Sequence, residues 1–173
     1  LGRRNVIWSI ALVALASFAL SEYGSRYHAS ANFYLLPTRA WELMAGALCS
    51  FVAVRPNNAR DNFMSVAGII AVLASIFAYD ETIPFPSFYA LLPVVGTCAI
   101  ILFARQGTLT RALLSLKPVV GIGLLSYSAY LWHQPLFAFA RIRSLTEPSM
   151  LFMLMLAIAS IVLAYFSWRF VEV

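Results

Sequence analysis

The chain has 173 residues, 62% hydrophobic and 11% charged, with a formal net charge of +5 and a mean hydropathy of +0.83. A water-soluble domain is closer to half apolar and a quarter charged, so one water-facing core cannot hide this much apolar surface, and the solvent must be lipid. Eleven of the twelve cations are arginine. They are scattered singly or in pairs between apolar stretches, which is how a topology signal looks, and this excludes a nucleic-acid partner.

A bilayer span needs about 20 largely apolar residues. Six stretches qualify, at 5–21, 35–54, 63–79, 88–104, 119–140 and 149–171. The chain opens on "LGRR" without a methionine and stops at Val173 as a helix is ending, the look of a fragment excised from a longer protein. After the first span, Glu22 and His28 read as solvated loop residues. The second span holds Arg39 and Glu42, three residues apart and so on one helix face, close enough to pair. Pro37 suits a first helical turn, and Gly46 between Ala45 and Ala47 suits a helix contact. Breaker residues fill the loops "RPNNARDN" (55–62) and "DETIPFPS" (80–87), and three cations lie in "RQGTLTRALLSLKP" (105–118). Cys49 and Cys98 fall inside apolar spans and read as buried thiols. No zinc-ligand spacing appears, so no metal is expected.

The fifth span reads "GIGLLSYSAYLWHQPLFAFARIR". Ser126, Tyr130, His133 and Phe137 share one stripe, with Tyr127 and Gln134 beside it. Gly121 and Gly123 suggest close helix packing. Pro135 has no N–H, so the Leu131 carbonyl loses its helical partner, and a kink or break is expected there. The sixth span adds Met150, Met153 and Met155 as lipid-facing or core filler.

Counting Lys and Arg by side gives eight (Arg3, Arg4, Arg55, Arg60, Arg105, Arg111, Lys117, Arg169) against four (Arg26, Arg39, Arg141, Arg143). The bias places both termini in the cytoplasm. The predicted fold is therefore all-α, a polytopic bundle of six spans, because open sheet edges are not tolerated in lipid. In this topology Arg39 and Glu42 lie roughly 6–10 Å below the outer surface. His133 lies about 21 Å along a core of about 30 Å, and so roughly 9 Å from the same side. The Arg/Glu pair and the Tyr/His/Gln stripe then share one layer, which points to a polar cavity near the outer leaflet. Two blander readings stand beside it: a snorkelling interfacial Arg/Glu pair, and a histidine that only bonds to a neighbouring helix, with Trp132 as an interface anchor.

Three stretches in this order, "FYLLPTRAWELMAGAL" (33–48), "IGLLSYSAYLWHQPLFAFAR" (122–141) and "YFSWRFVEV" (165–173), resemble acyltransferase family 3, the integral-membrane acyltransferases of the O-antigen acetylase type. The resemblance implies that residues 1–173 are the C-terminal part of a multi-pass acyltransferase domain in the bacterial inner membrane, with its N-terminal spans missing. It implies transfer of an acyl group, acetyl above all, from a cytoplasmic donor such as acetyl-CoA to a hydroxyl of a cell-envelope glycan or similar acceptor. No cofactor is expected to stay bound. The family's principal catalytic histidine, with its arginine, lies in an early span that nothing here matches, so the fragment is expected to be inactive alone, and in many relatives a periplasmic domain or short tail follows. Arg39, Glu42, Tyr127, Tyr130, His133 and Gln134 are then substrate-channel or supporting residues, with Arg39 stabilising negative charge and Glu42 holding it in place. The alternatives are a transporter or flippase-like subunit, for which a broken helix is natural, and a non-catalytic membrane scaffold.

Overall fold

The computed structural model describes residues 2–52, 59–80, 83, 85–143 and 149–172; parts of the predicted loops at 55–62 and 80–87 lie outside them. Among the described residues all regular structure is helical: α1 (Arg3–Tyr27), α2 (Ala29–Tyr34), α3 (Leu36–Cys49), α4 (Ala59–Ala78), α5 (Leu91–Phe103), α6 (Leu109–Leu114), α7 (Lys117–Arg143) and α8 (Met150–Ser167). A 3₁₀ turn, Phe88–Ala90, leads into α5, and a π-helical turn, Trp168–Glu172, extends α8. The all-α expectation holds. Helices α1, α4 and Met150–Val171 are long and apolar enough to cross a membrane by length and composition.

Each predicted span contains a helix, but not at the predicted length. The first extends to Tyr27 and takes in Glu22 and Arg26, whose side chains pair at 2.7 Å, so these two are not loop residues. The second shrinks to the 14 residues of α3, because Pro37 sits in its first turn and the Ser50, Phe51 and Val52 amides tighten onto the carbonyls three residues back. The fourth shrinks to the 13 residues of α5, followed by a turn in which Gly107 takes a φ of 89° that favours glycine. Thr108 caps α6 by accepting from the Arg111 amide at 3.3 Å, and Ser149 caps α8 by accepting from Phe152 at 3.3 Å.

The side-chain distribution is that of a protein dissolved in lipid. Among the described residues most buried side chains are small and polar, including Ser17, Ser21, Asn32, Thr38, Ser65, Ser75, Ser128 and Ser160. The outward faces are crowded with Leu, Ile, Val and Phe, including Leu12, Leu15, Phe63, Phe77, Leu151 and Ile158. With lipid outside there is no hydrophobic drive to bury leucine. Helices instead approach through small residues and bury their hydrogen-bonding groups against one another.

The chain divides into two compact units, residues 1–112 and 113–173. In the first, α1 packs on α3 and α4 on α5, with α3 also touching α5. The α1–α3 pair is antiparallel: Arg3 reaches the Phe51 carbonyl at 2.8 Å, and Phe18 meets Trp41 edge-on at 4.9 Å further along. Beside the Phe18–Trp41 contact the Ser17 hydroxyl donates to the Pro37 carbonyl and accepts from the Trp41 amide, spanning two groups four residues apart on α3. The α4–α5 pair crosses at two glycines. A Cβ on Gly68 would lie 2.6 Å from the Gly96 carbonyl, and one on Gly96 would lie 2.8 Å from that of Gly68. In the second unit α7 packs on α8.

The segment before α5 is clasped to α1 and α2. The Pro86 carbonyl accepts from Asn32 Nδ2 at 2.7 Å and Ser21 Oγ at 3.1 Å, and the Phe88 amide donates to Glu22 Oε2 at 3.1 Å. Gly24 makes room for the Asn32 amide, since a Cβ there would lie 2.6 Å from Asn32 Oδ1. The Thr38 hydroxyl holds the α2–α3 corner, 2.6 Å from the Asn32 carbonyl and 2.7 Å from that of Leu35. The clasp thereby fixes Phe85 and Ala90 opposite α3.

Candidate functional site

Helix α3 is where buried polar chemistry goes unanswered. Five buried side-chain polar atoms lack a hydrogen-bond partner among the described residues, and three of them, Arg39 Nε, Trp41 Nε1 and Glu42 Oε1, lie within four consecutive positions of α3. An orphaned polar atom costs about 1–3 kcal/mol. Such atoms in a folded protein therefore call for a reason beyond packing.

Arg39 and Glu42 do not pair, contrary to the expectation from their spacing, and neither Arg39 Nε nor Glu42 Oε1 has a hydrogen-bond partner among the described residues. Two features separate them. The Arg39 guanidinium lies over the Phe33 ring, 4.8 Å from its centroid, on the α2 side toward which helical side chains lean. Glu42 lines a hollow of about 330 Å³ between α3 and α5. Leu43 and Gly46 of α3, Phe85, Ala90, and Pro93, Val94, Thr97, Cys98 and Ile101 complete the wall. Gly46 is thus no helix contact, since a Cβ added to it meets nothing within 4 Å. Cys49 and Cys98 are free thiols, and the Cys49 thiol donates to the Ala45 carbonyl one turn back, at 3.4 Å.

The remaining predicted residues lie on α7 in the second unit. His133 Nδ1 is 3.0 Å from the Ala129 carbonyl, one turn back, and its ring stands between Tyr130 (5.4 Å) and Phe137 (5.9 Å). The predicted stripe therefore exists on the helix. Tyr127 and Tyr130 are 63% and 61% exposed, and Gln134 is exposed, whereas Ser128 is fully buried. The Ser126 hydroxyl is taken up by the Gly123 carbonyl at 2.7 Å. The expected break at Pro135 does not occur, because α7 runs through it to Arg143. A continuous helix leaves one carbonyl without its usual donor. A break would strand several backbone groups, which lipid penalises far more heavily. The interrupted helix that would suit a transporter is therefore not found in α7. Gly121 and Gly123 likewise make no close contact, as a Cβ on either meets nothing within 4 Å. A second hollow, of about 270 Å³, is lined by Leu136, Phe139, Ala140, Arg143, Phe152 and Leu156. Among the described residues no group of three His, Cys, Asp or Glu side chains is arranged to hold a metal ion.

The geometry of α3 offers a cation stacked on a phenyl ring, an indole N–H and an unpaired carboxyl oxygen on one short helix. The chain is similar to a peptidoglycan O-acetyltransferase. Over 153 residues it is 28% identical to peptidoglycan O-acetyltransferase OatA of Listeria monocytogenes, the match covering 81% of this chain and 24% of that protein. The chain thus spans about a quarter of the length of the curated relative it matches. No protein-family model matches the chain, and no solved structure matches it. The apolar helices and this likeness together make it a membrane protein.

Sequence reasoning reached Arg39, Glu42 and the α7 stripe because charge and imidazole stand out against apolar runs. It missed Trp41, Phe33 and the α5 wall of the hollow. Tryptophan and phenylalanine look like any other apolar residue in a span, and only the fold shows that the indole N–H is orphaned.

Proposed function

We propose that the chain is part of a membrane acyltransferase that moves an acetyl group from acetyl-CoA to a hydroxyl of a cell-envelope glycan. The observation that carries this reading is the similarity to peptidoglycan O-acetyltransferase OatA over 81% of the chain. Polar groups left unpaired on α3 fit the same chemistry. In the transfer, the acceptor oxygen attacks the thioester carbon, the C–S bond breaks, a base takes the hydroxyl proton, and the thiolate leaves to be protonated. The oxygen of the tetrahedral intermediate then needs a positive or hydrogen-bonding neighbour, and Arg39 is the group suited to that role. Glu42 does not hold Arg39 in place. Tyr127, Tyr130, His133 and Gln134 line the path of acceptor or thioester.

In this reading residues 1–173 are the C-terminal portion of the acyltransferase domain, multi-pass in the bacterial inner membrane with both ends cytoplasmic. Spans preceding them supply the catalytic histidine. The test is made in cells with the intact gene. Deleting it is expected to lower the alkali-labile acetate of the envelope glycan, and re-expression to restore it. Acetate content unchanged by deletion, in cells that express the protein, would rule the reading out.

A further inference from the structure

We infer that the hollow between α3 and α5 is a binding site for an alcohol, a hydroxyl on a slender apolar stem, with Glu42 Oε1 as its hydrogen-bond partner. The inference rests on the proposed hydroxyl acceptor and says where that hydroxyl sits. At about 330 Å³ the hollow falls within the range of small-molecule sites. Leu43, Phe85, Pro93, Val94 and Ile101 make its walls apolar. Its other oxygen-bearing side chain is already engaged, as the Thr97 hydroxyl donates to the Pro93 carbonyl at 2.8 Å, and the Cys98 thiol is only a weak hydrogen-bonding group. Glu42 Oε1 alone is buried without a partner, and Arg39, the nearest cation in sequence, is stacked on Phe33.

Chemistry narrows the ligand. An ammonium complements only an ionised carboxyl, and a carbonyl only a protonated one. A hydroxyl donates to the first and accepts from the second, so it satisfies Glu42 in either state. The apolar walls leave no partners for a second or third hydroxyl, each of which would be buried at a cost. The hollow therefore takes one hydroxyl-bearing arm of the acceptor and leaves the rest outside. Gly46 forms part of the wall without touching anything, so a side chain placed there grows into the space the ligand needs.

The test uses the intact protein in liposomes and a photoreactive alkyl alcohol, compared with its methyl ether, with crosslinked peptides read by mass spectrometry. The alcohol is expected to label the α3 and α5 peptides about tenfold more than the ether, one hydrogen bond's worth of preference. That excess disappears in Glu42→Ala and in Gly46→Leu, and survives in part in Glu42→Gln, whose amide oxygen still accepts. A glycan fragment that displaces the probe assigns the hydroxyl to a sugar, and a lipid alcohol that does so assigns it to lipid; the site stands in both cases. Equal labelling by alcohol and ether, or labelling indifferent to Glu42→Ala and Gly46→Leu, would overturn the proposal. Because labelling needs no acyl donor, a hydroxyl preference without acyl transfer would sink the acyltransferase reading alone. Transfer with indifferent labelling would sink this site alone.

Discussion

Replacing Gly68 by alanine or valine is expected to lower the stability of the intact protein in detergent, and its abundance in membranes, by more than the same change at Gly46, Gly121 or Gly123. The added Cβ would stand 2.6 Å from the Gly96 carbonyl and 3.0 Å from an Ile100 carbon. The first obstacle is backbone and cannot rotate away, so α4 and α5 must part. Overpacking of this kind costs about 1–3 kcal/mol, and more when a close helix approach is lost. Gly96→Ala meets the Gly68 carbonyl at 2.8 Å and should cost a similar amount. The double variant should cost less than the sum, since the helices need to separate only once. Gly123→Ala supplies the opposite sign. Nothing lies within 4 Å of its Cβ, so the gain of about 0.5–1 kcal/mol from removing a glycine inside a helix goes unopposed. Thermal melts of the purified variants decide the matter, and a Gly68→Ala protein as stable as the parent would mean that the α4–α5 crossing is wrong.

Arg39→Ala, in the intact protein at matched abundance, is expected to reduce acyl transfer roughly a hundredfold to a thousandfold, the usual cost of losing a preorganised group that faces developing negative charge. The fall should appear in kcat and leave the acceptor KM nearly unchanged, because the interaction strengthens only as charge develops. Arg39→Lys should land between the two. It keeps the charge but loses the planar stack on Phe33, which is 4.8 Å from the guanidinium carbon. A scaffold role makes a different forecast: less protein in the membrane, but undiminished turnover per molecule. Turnover measured per folded molecule therefore separates the two, and normal turnover in Arg39→Ala would reduce the residue to a helix-packing element.

What was legible in the sequence followed from the physics that acts on single segments. Apolar runs of span length can satisfy their backbone only as helices, so each of the six stretches contains one. Pro37 announced the start of α3 for the same kind of local reason. Where the reading failed, the deciding contact came from elsewhere in the chain. Arg39 and Glu42 have the spacing of an ion pair, yet Phe33 on the preceding helix and the open space beside α5 draw them apart. Gly46, Gly121 and Gly123 looked like contact glycines, while the glycines that do bring backbones together are Gly68 and Gly96. Nothing in the flanking residues distinguishes the two sets. A kink or a break was expected at Pro135, and the helix is not broken there, because the lipid penalty on exposed backbone outweighs one missing hydrogen bond.

The most direct test of the acyltransferase reading is made with the intact protein reconstituted in liposomes, given acetyl-CoA labelled in the acetyl group and a glycan bearing free hydroxyls on the opposite side of the bilayer. The account predicts that label appears on the glycan as an alkali-labile ester and that free CoA appears in equal amount. Label that remains in acetyl-CoA, or is released only as free acetate while the glycan stays unmodified, would contradict it.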